Sequence, residues 1–350
     1  MKLALGLHVS DFTSKNLSFA RQIGADSLVL HLTDYKDINL SLEGVKSNNT
    51  VKFTNTDINI WSIDHLQSLQ KIAKKYSLSI VAIENFDPGL WHDILLDGPN
   101  RDEQIEIVKY CIQNASKSGI NVIHYNFSVA GIWGWYKAKL ARGGATSIAF
   151  DVNKINVNEP IPSGMVWNMF YKEPDGSYVQ SISHEKIWNR VGYFLHKVVP
   201  FADKHNVCLA AHPDDPPLDT LRQTARLINS PSNYFKLLDI YPNPSNGINF
   251  CLGTTQEMAD GDVYEILSKL LIRKVVHIVH FRNVKGKVPK YYETFPDEGD
   301  INMKKIVELL NFYEYEGILM PDHTPEITCK APWHAGMAFT MGYIKGLIEK

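Results

Sequence analysis

The stretch 207–321 carries four short apolar runs: VCLAAH (Val207–His212), GINFCL (Gly247–Leu252), VVHIVH (Val275–His280) and GILMP (Gly317–Pro321). They are mostly continuous rather than alternating, the pattern of strands buried on both faces of a parallel sheet. Similar runs recur upstream at Leu3–His8, Ser27–His31, Leu78–Glu84 and Asn121–Asn126. Helical periodicity fills stretches between them, at Leu66–Tyr76, Asp102–Lys117, His184–His205, Met303–Phe312 and Ala335–Ile348. Eight strand–helix units predict an α/β protein, a (β/α)8 TIM barrel spanning residues 1–350 as one domain. The competing fold is an open doubly wound sheet, but no GxGxxG follows the first strand.

Two segments break the alternation. Residues 33–60 are polar and Asn-rich, and residues 128–183 are rich in Gly, Trp and Tyr. They read as long insertions after strands 2 and 4, each at the C-terminal end of its strand, where barrel loops carry function. The GIWGWY stretch holds Trp133, Trp135 and Tyr136. It reads either as an aromatic lid that excludes water or as a small core beneath the insertion.

Composition narrows the function. A formal net charge of -2 provides no broad basic field, so nucleic acid is not an expected partner. The 4 cysteines lack CxxC spacing, which fits a reducing cytoplasm better than a disulfide framework. No apolar run approaches the roughly 18 residues of a membrane span, and none reads as a signal h-region. The expectation is a cytoplasmic protein without membrane or nucleic-acid partners, and the sequence permits a homo-oligomer.

Four successive strands end in residues of metal-ligand type: His212 in AAHPDD, Cys251 in NFCLG, His280 in IVHFRN and Asp322 in LMPDH. Neighbouring strand ends of a barrel lie about 5 Å apart, so the four side chains can converge on one cation. Imidazole, thiolate and carboxylate suit Zn, Fe or Mn. Taken singly, each has an ordinary reading: a hydrogen-bonded strand-end His, a small core Cys, a turn Asp. It is the repetition at one end of consecutive strands that points to a metal.

HPDDPP (His212–Pro217), NGINFCLG (Asn246–Gly253), HFRNV (His280–Val284) and PDH (Pro321–His323) resemble the signature segments of the mannonate dehydratase family. HYNF (His124–Phe127), RGGA with a following FD (Arg142–Asp151) and EGDINM (Glu298–Met303) support the resemblance more loosely. It implies a barrel enzyme using Mn2+ or Fe2+, with zinc also compatible with these donors. The implied reaction is conversion of D-mannonate to 2-keto-3-deoxy-D-gluconate and water, a step of hexuronate catabolism. It also implies His212, Cys251, His280 and Asp322 as metal ligands and His323, beside Asp322, as an acid–base catalyst.

That chemistry suits such groups. A proton α to a carboxylate is weakly acidic, and a divalent cation on the carboxylate and an adjacent hydroxyl offsets the charge that develops. A His suits protonation of the departing hydroxyl, although one next to a ligand can instead orient it. Arg282 is a candidate for forking onto the substrate carboxylate, or for a structural salt bridge at the rim. Asn283, Asn126, His124 and Asp214 are candidate substrate contacts, with Asp215, Tyr125, Glu84 and His8 as further rim residues. The family's Tyr after the PDH motif has no match here, where APWHAG (Ala331–Gly336) stands instead. Trp333 or His334 takes that place, and His334 is the candidate proton donor.

The runner-up is a metal-dependent sugar isomerase or epimerase on the same barrel. Such sites usually present more carboxylates than the lone Asp322. A sugar-acid sensor with only a structural metal is the non-enzymatic reading, against which His323 weighs.

Overall fold

The computed structural model describes residues 1–35 and 52–349; part of the first insertion call, residues 36–51, lies outside them. Eight strands form a closed barrel: β1 Lys2–His8, β2 Ser27–His31, β3 Ser79–Glu84, β4 Val122–Tyr125, β5 Cys208–Ala211, β6 Asn246–Cys251, β7 Val276–Phe281 and β8 Ile318–Pro321. Each pairs in parallel with its sequence neighbours, and β8 closes onto β1. The runs read as strands thus become the eight staves, with ends shifted by about a residue. Every strand is followed by at least one helix, including Ser14–Gln22, Pro88–Leu96, Pro231–Ile240 and Val263–Ile272, which the periodicity did not single out.

The two faces of the staves pack differently. Ala4, Val29, Ala82, Ala210, Ile278, Ile318 and Met320 fill the barrel interior. Several are small, which leaves room for polar side chains at the C-terminal rim. At Gly6 the room is needed, since a Cβ there would lie 3.1 Å from His31 Nε2. The outer faces pack on the helices. The helix His184–Lys204 presents Ile187, Val191, Phe194, Leu195, Val198 and Ala202 to that layer, and Ser183 caps it by accepting from the Lys186 amide. Truncating a side chain buried like Phe194 costs about 3–5 kcal/mol.

Residues 128–183, read as an irregular insertion, hold a hairpin of Tyr136–Ala141 and Ala145–Asp151. A second hairpin, Asn283–Lys287 and Lys290–Thr294, follows β7 and was not anticipated. The two join edge to edge through Tyr291 and Phe150 into a four-stranded antiparallel sheet. This pairing spans about 140 residues of sequence separation, so no local pattern announces it. No helix among the described residues is long and apolar enough to cross a membrane.

Candidate functional site

The barrel mouth opens into a cavity of about 610 Å3, lined by residues from both ends of the chain and from the insertions. At its floor, ligand atoms of His212, Cys251 and His280 lie within 4.8 Å of one another. Asp322 joins them, its Oδ2 standing 3.6 Å from His280 Nδ1 and 4.0 Å from Cys251 Sγ. The four come from the ends of β5, β6, β7 and β8, as the strand reading expected of their position.

The electrostatics of this cluster favour a cation. Burial pushes the Cys251 thiol up, but the Arg282 guanidinium and the two imidazoles outweigh it and hold the group well below its usual range, as a thiolate. Burial likewise opposes ionisation of Asp322, and His323, His280 and Arg282 overcome it. His280 is fully buried, which disfavours its charged form, yet Asp322, Cys251 and Glu84 draw positive charge onto it. Its Nδ1 is buried without a hydrogen bond, facing the Asp322 carboxylate. Once that ring gives up a proton, its Nδ1 lone pair, a thiolate, a carboxylate and a second imidazole form a donor set that fits a divalent transition metal. On the other side of the ring, Nε2 lies 2.9 Å from the Asn249 amide, which fixes the plane of His280.

Arg282 is a hub rather than a free fork. Its guanidinium donates to Asp215 Oδ2 and Thr254 Oγ1 at 2.6 Å and to Glu293 Oε1 at 2.8 Å, and approaches Cys251 Sγ at 3.4 Å. Glu257 and Asp322 each lie 3.4 Å away. Burial pushes Glu257 well above the usual carboxylate range against the pull of Arg282, and the anions Asp215, Cys251 and Glu293 add to it. The backbone makes room for this: a Cβ at Gly253 would fall 2.6 Å from Arg282 Nε.

His323 projects into the cavity with 41% of its side chain exposed. Its Nδ1 meets Glu293 Oε1 at 2.8 Å, its Nε2 lies 3.5 Å from Asp322 Oδ1, and the edge of Trp135 packs on it at 5.4 Å. Burial lowers its basicity, but Asp322 and Glu293 push it up to about 9, so the ring is charged at neutral pH. Glu293 lies in the unanticipated hairpin. The β-favouring Tyr291, Tyr292 and Thr294 were the available signal for that strand, although its partner was not readable.

Other singled-out residues divide. His124 and Asn126 line the cavity, and Asn126 Oδ1 is buried without a hydrogen bond. His124 Nδ1 lies 3.3 Å from Glu84 Oε1, and burial pulls the imidazole down to about 4 against that carboxylate. Asn283 does not reach the cavity: its amide donates to the carbonyls of Pro296 and Ile301, and its Oδ1 accepts from Val284 and Ile301. Asp214 is likewise consumed, accepting from the Leu227 and Ile228 amides. Its neighbour Asp215 faces the cavity instead, held by Arg282 and Tyr291. Trp333 and His334 both line the cavity, and His334 Nε2 lies 3.1 Å from Asn16 Oδ1. Trp135, Phe150 and Tyr291 form a small core under the antiparallel sheet, so the second of the two readings of GIWGWY applies to Trp135, which also borders the cavity. The sequence reading missed the cavity residues His31 and Tyr35.

Comparison with known proteins gives this geometry a family. The family model for D-mannonate dehydratase (UxuA) matches residues 24–350. A mannonate dehydratase of Streptococcus equi subsp. zooepidemicus is 31% identical over 310 residues, covering 83% of both chains. One from Oceanobacillus iheyensis is 28% identical over 314 residues, covering 83% of this chain and 86% of the relative. The crystal structure of mannonate dehydratase from Streptococcus suis serotype 2 superposes with a TM-score of 0.78 at 27% identity, covering 100% of this chain and 93% of that one. D-psicose 3-epimerase, at a TM-score of 0.59 and 10% identity, shares the fold alone. The match over nearly the whole chain, in sequence and in structure, makes this chain a member of the mannonate dehydratase family of hydro-lyases.

Proposed function

We propose that this chain dehydrates D-mannonate to 2-keto-3-deoxy-D-gluconate, with Mn2+ or Fe2+ held by His212, Cys251, His280 and Asp322. The observation that carries the reading is the convergence of two imidazoles, a thiolate and a carboxylate from four consecutive strand ends, with a charged His323 beside the carboxylate. When bound, the cation supplies Lewis acidity that stabilises charge on the sugar-acid carboxylate.

The protein's own groups do the rest. His323, positively charged and hydrogen-bonded to Glu293, protonates the departing hydroxyl. Glu293 keeps that ring aimed at the cavity, and Trp135 shields one edge of it from water. Asn126 and His124 are placed to receive substrate hydroxyls. Arg282 acts by holding Cys251 ionised and Asp215 in place, since its donors are already engaged. His334 contributes at the cavity wall near Asn16.

The test is incubation with Mn2+ and D-mannonate, following the appearance of a 2-keto-3-deoxy acid. No product from mannonate or other aldonates, with turnover of free ketoses instead, overturns dehydration in favour of isomerisation.

A further inference from the structure

His323 serves one side of the cavity; on the same cavity His31 and Tyr35, which have no role in that chemistry, join Glu84, which also faces His124 and the proposed ligand His280. His31 ends β2, and the hydroxyl of Tyr35, four residues later, lies 2.5 Å from its Nδ1. The other ring nitrogen of His31 lies 3.5 Å from Glu84 Oε2, at the end of β3. All three side chains line the cavity. The arrangement is packed in place: His31 stacks on His8 with ring centroids 4.7 Å apart, and Tyr35 meets His8 at 5.1 Å and Trp167 at 5.6 Å. The bare Gly6 backbone on β1 leaves the space in which His31 sits.

Glu84, 3.5 Å from Nε2 without a hydrogen bond, favours the ring proton on that side, which leaves Nδ1 to accept from the Tyr35 hydroxyl. The phenol, on the cavity lining, also hydrogen-bonds the Asn85 side chain beside it. A hydroxyl backed by an imidazole that is oriented by a carboxylate is the general arrangement for making a weak oxygen acid into a proton acceptor. The barrel order places β1 between β2 and β8, so Tyr35 and His323 belong to strands about 10 Å apart, with the cavity between them.

We propose that Tyr35, coupled through His31 to Glu84, is a second catalytic acid–base residue, the one that takes the α-proton of the sugar acid. This rests on the dehydration reading above. As the Cα–H bond breaks, its proton forms an O–H bond on Tyr35 while the original phenol proton passes to His31 Nδ1. The C–H electron pair moves into the substrate carboxylate, and the charge gained by His31 is balanced by Glu84. The β-hydroxyl then leaves as water with the proton of His323, the pair returns to the carbon skeleton as the C2–C3 double bond, and the resulting enol tautomerises to the 2-keto acid; His31 releases its proton to solvent and His323 takes one up. Tyr35 is catalytic in this scheme; His31 is its proton relay and Glu84 positions that relay.

The experiment compares Mn2+-loaded wild type with Tyr35→Phe and His31→Gln. Tyr35→Phe should lower kcat by roughly 10²- to 10⁴-fold, with KM, bound manganese and Tm close to wild type. A 3-deoxy aldonate, which has no hydroxyl to lose, gives a second readout. Wild type and His323→Asn should exchange its α-proton in D2O, and Tyr35→Phe should not. If the phenol proves necessary for folding, His31→Gln keeps it and must still lower kcat at least about 30-fold and slow exchange. A kcat for Tyr35→Phe within about threefold of wild type, or α-proton exchange retained without the phenol, overturns the proposal. An inactive wild type sinks the dehydration reading itself, whereas an active wild type with an unimpaired Tyr35→Phe sinks only this one.

Discussion

The ends of β5–β8 and the four-stranded antiparallel sheet contribute to one site in different ways. The strand ends present His212, Cys251, His280 and Asp322, each on a stave paired on both sides, so their positions follow from barrel closure. The sheet supplies none of these four. It supplies Glu293, which holds Arg282 and His323, Tyr291, which holds Asp215, and with its flanking Trp135 a wall beside His323. The difference teaches that the barrel sets what can be bound, whereas the hairpins set orientation and charge around it. Damage to the first region should remove the metal, and damage to the second should leave it bound but poorly used.

The largest effect is expected at the rim. Asp322→Ala should lose stoichiometric manganese and cut kcat/KM by roughly 10³-fold or more, since the Lewis-acid contribution is several kcal/mol. Metal analysis of the purified variant checks this, and retained metal with near-normal activity would break the comparison. His323→Asn is next: manganese should stay bound while kcat falls by roughly 10²-fold or more, as expected for loss of a general acid. In the sheet, Glu293→Gln should keep the metal and lower kcat by about 10- to 100-fold, the usual cost of losing a supporting contact. If it instead releases manganese, the division of labour is wrong. The smallest effect is at Trp135→Phe. This change removes the 3.1 Å hydrogen bond from Nε1 to Tyr291 Oη and should cost about 1 kcal/mol, read by denaturant unfolding.

Some of this was legible and some was not, for identifiable reasons. VVHIVH reads as a doubly buried strand whatever surrounds it, and His280 at its end inherits a rim position from strand length alone. Asp322 follows the same rule after GILMP. Asn283 and Asp214 misled because adjacency in sequence to a proposed ligand says nothing about direction. One step along a strand or turn reverses the side chain, and both point into backbone amides. Asp215, one residue on, points the other way. The two readings of Arg282, substrate fork and structural salt bridge, could not be separated because its carboxylate partners, Asp215, Glu257 and Glu293, come from three separate segments. Tyr35 was overlooked because it stands in a polar stretch with no periodicity, four residues past its strand.

By itself, the sequence determined the eight staves, their order and the kind of side chain at each tip, because hydrophobic burial and strand length act locally and repeat. Only the tertiary structure decided which of those tips meet, what charges surround them and which hairpins brace them. Those properties depend on contacts between segments up to about 140 residues apart, and on the low-dielectric enclosure that forms only when the barrel and the antiparallel sheet close on each other.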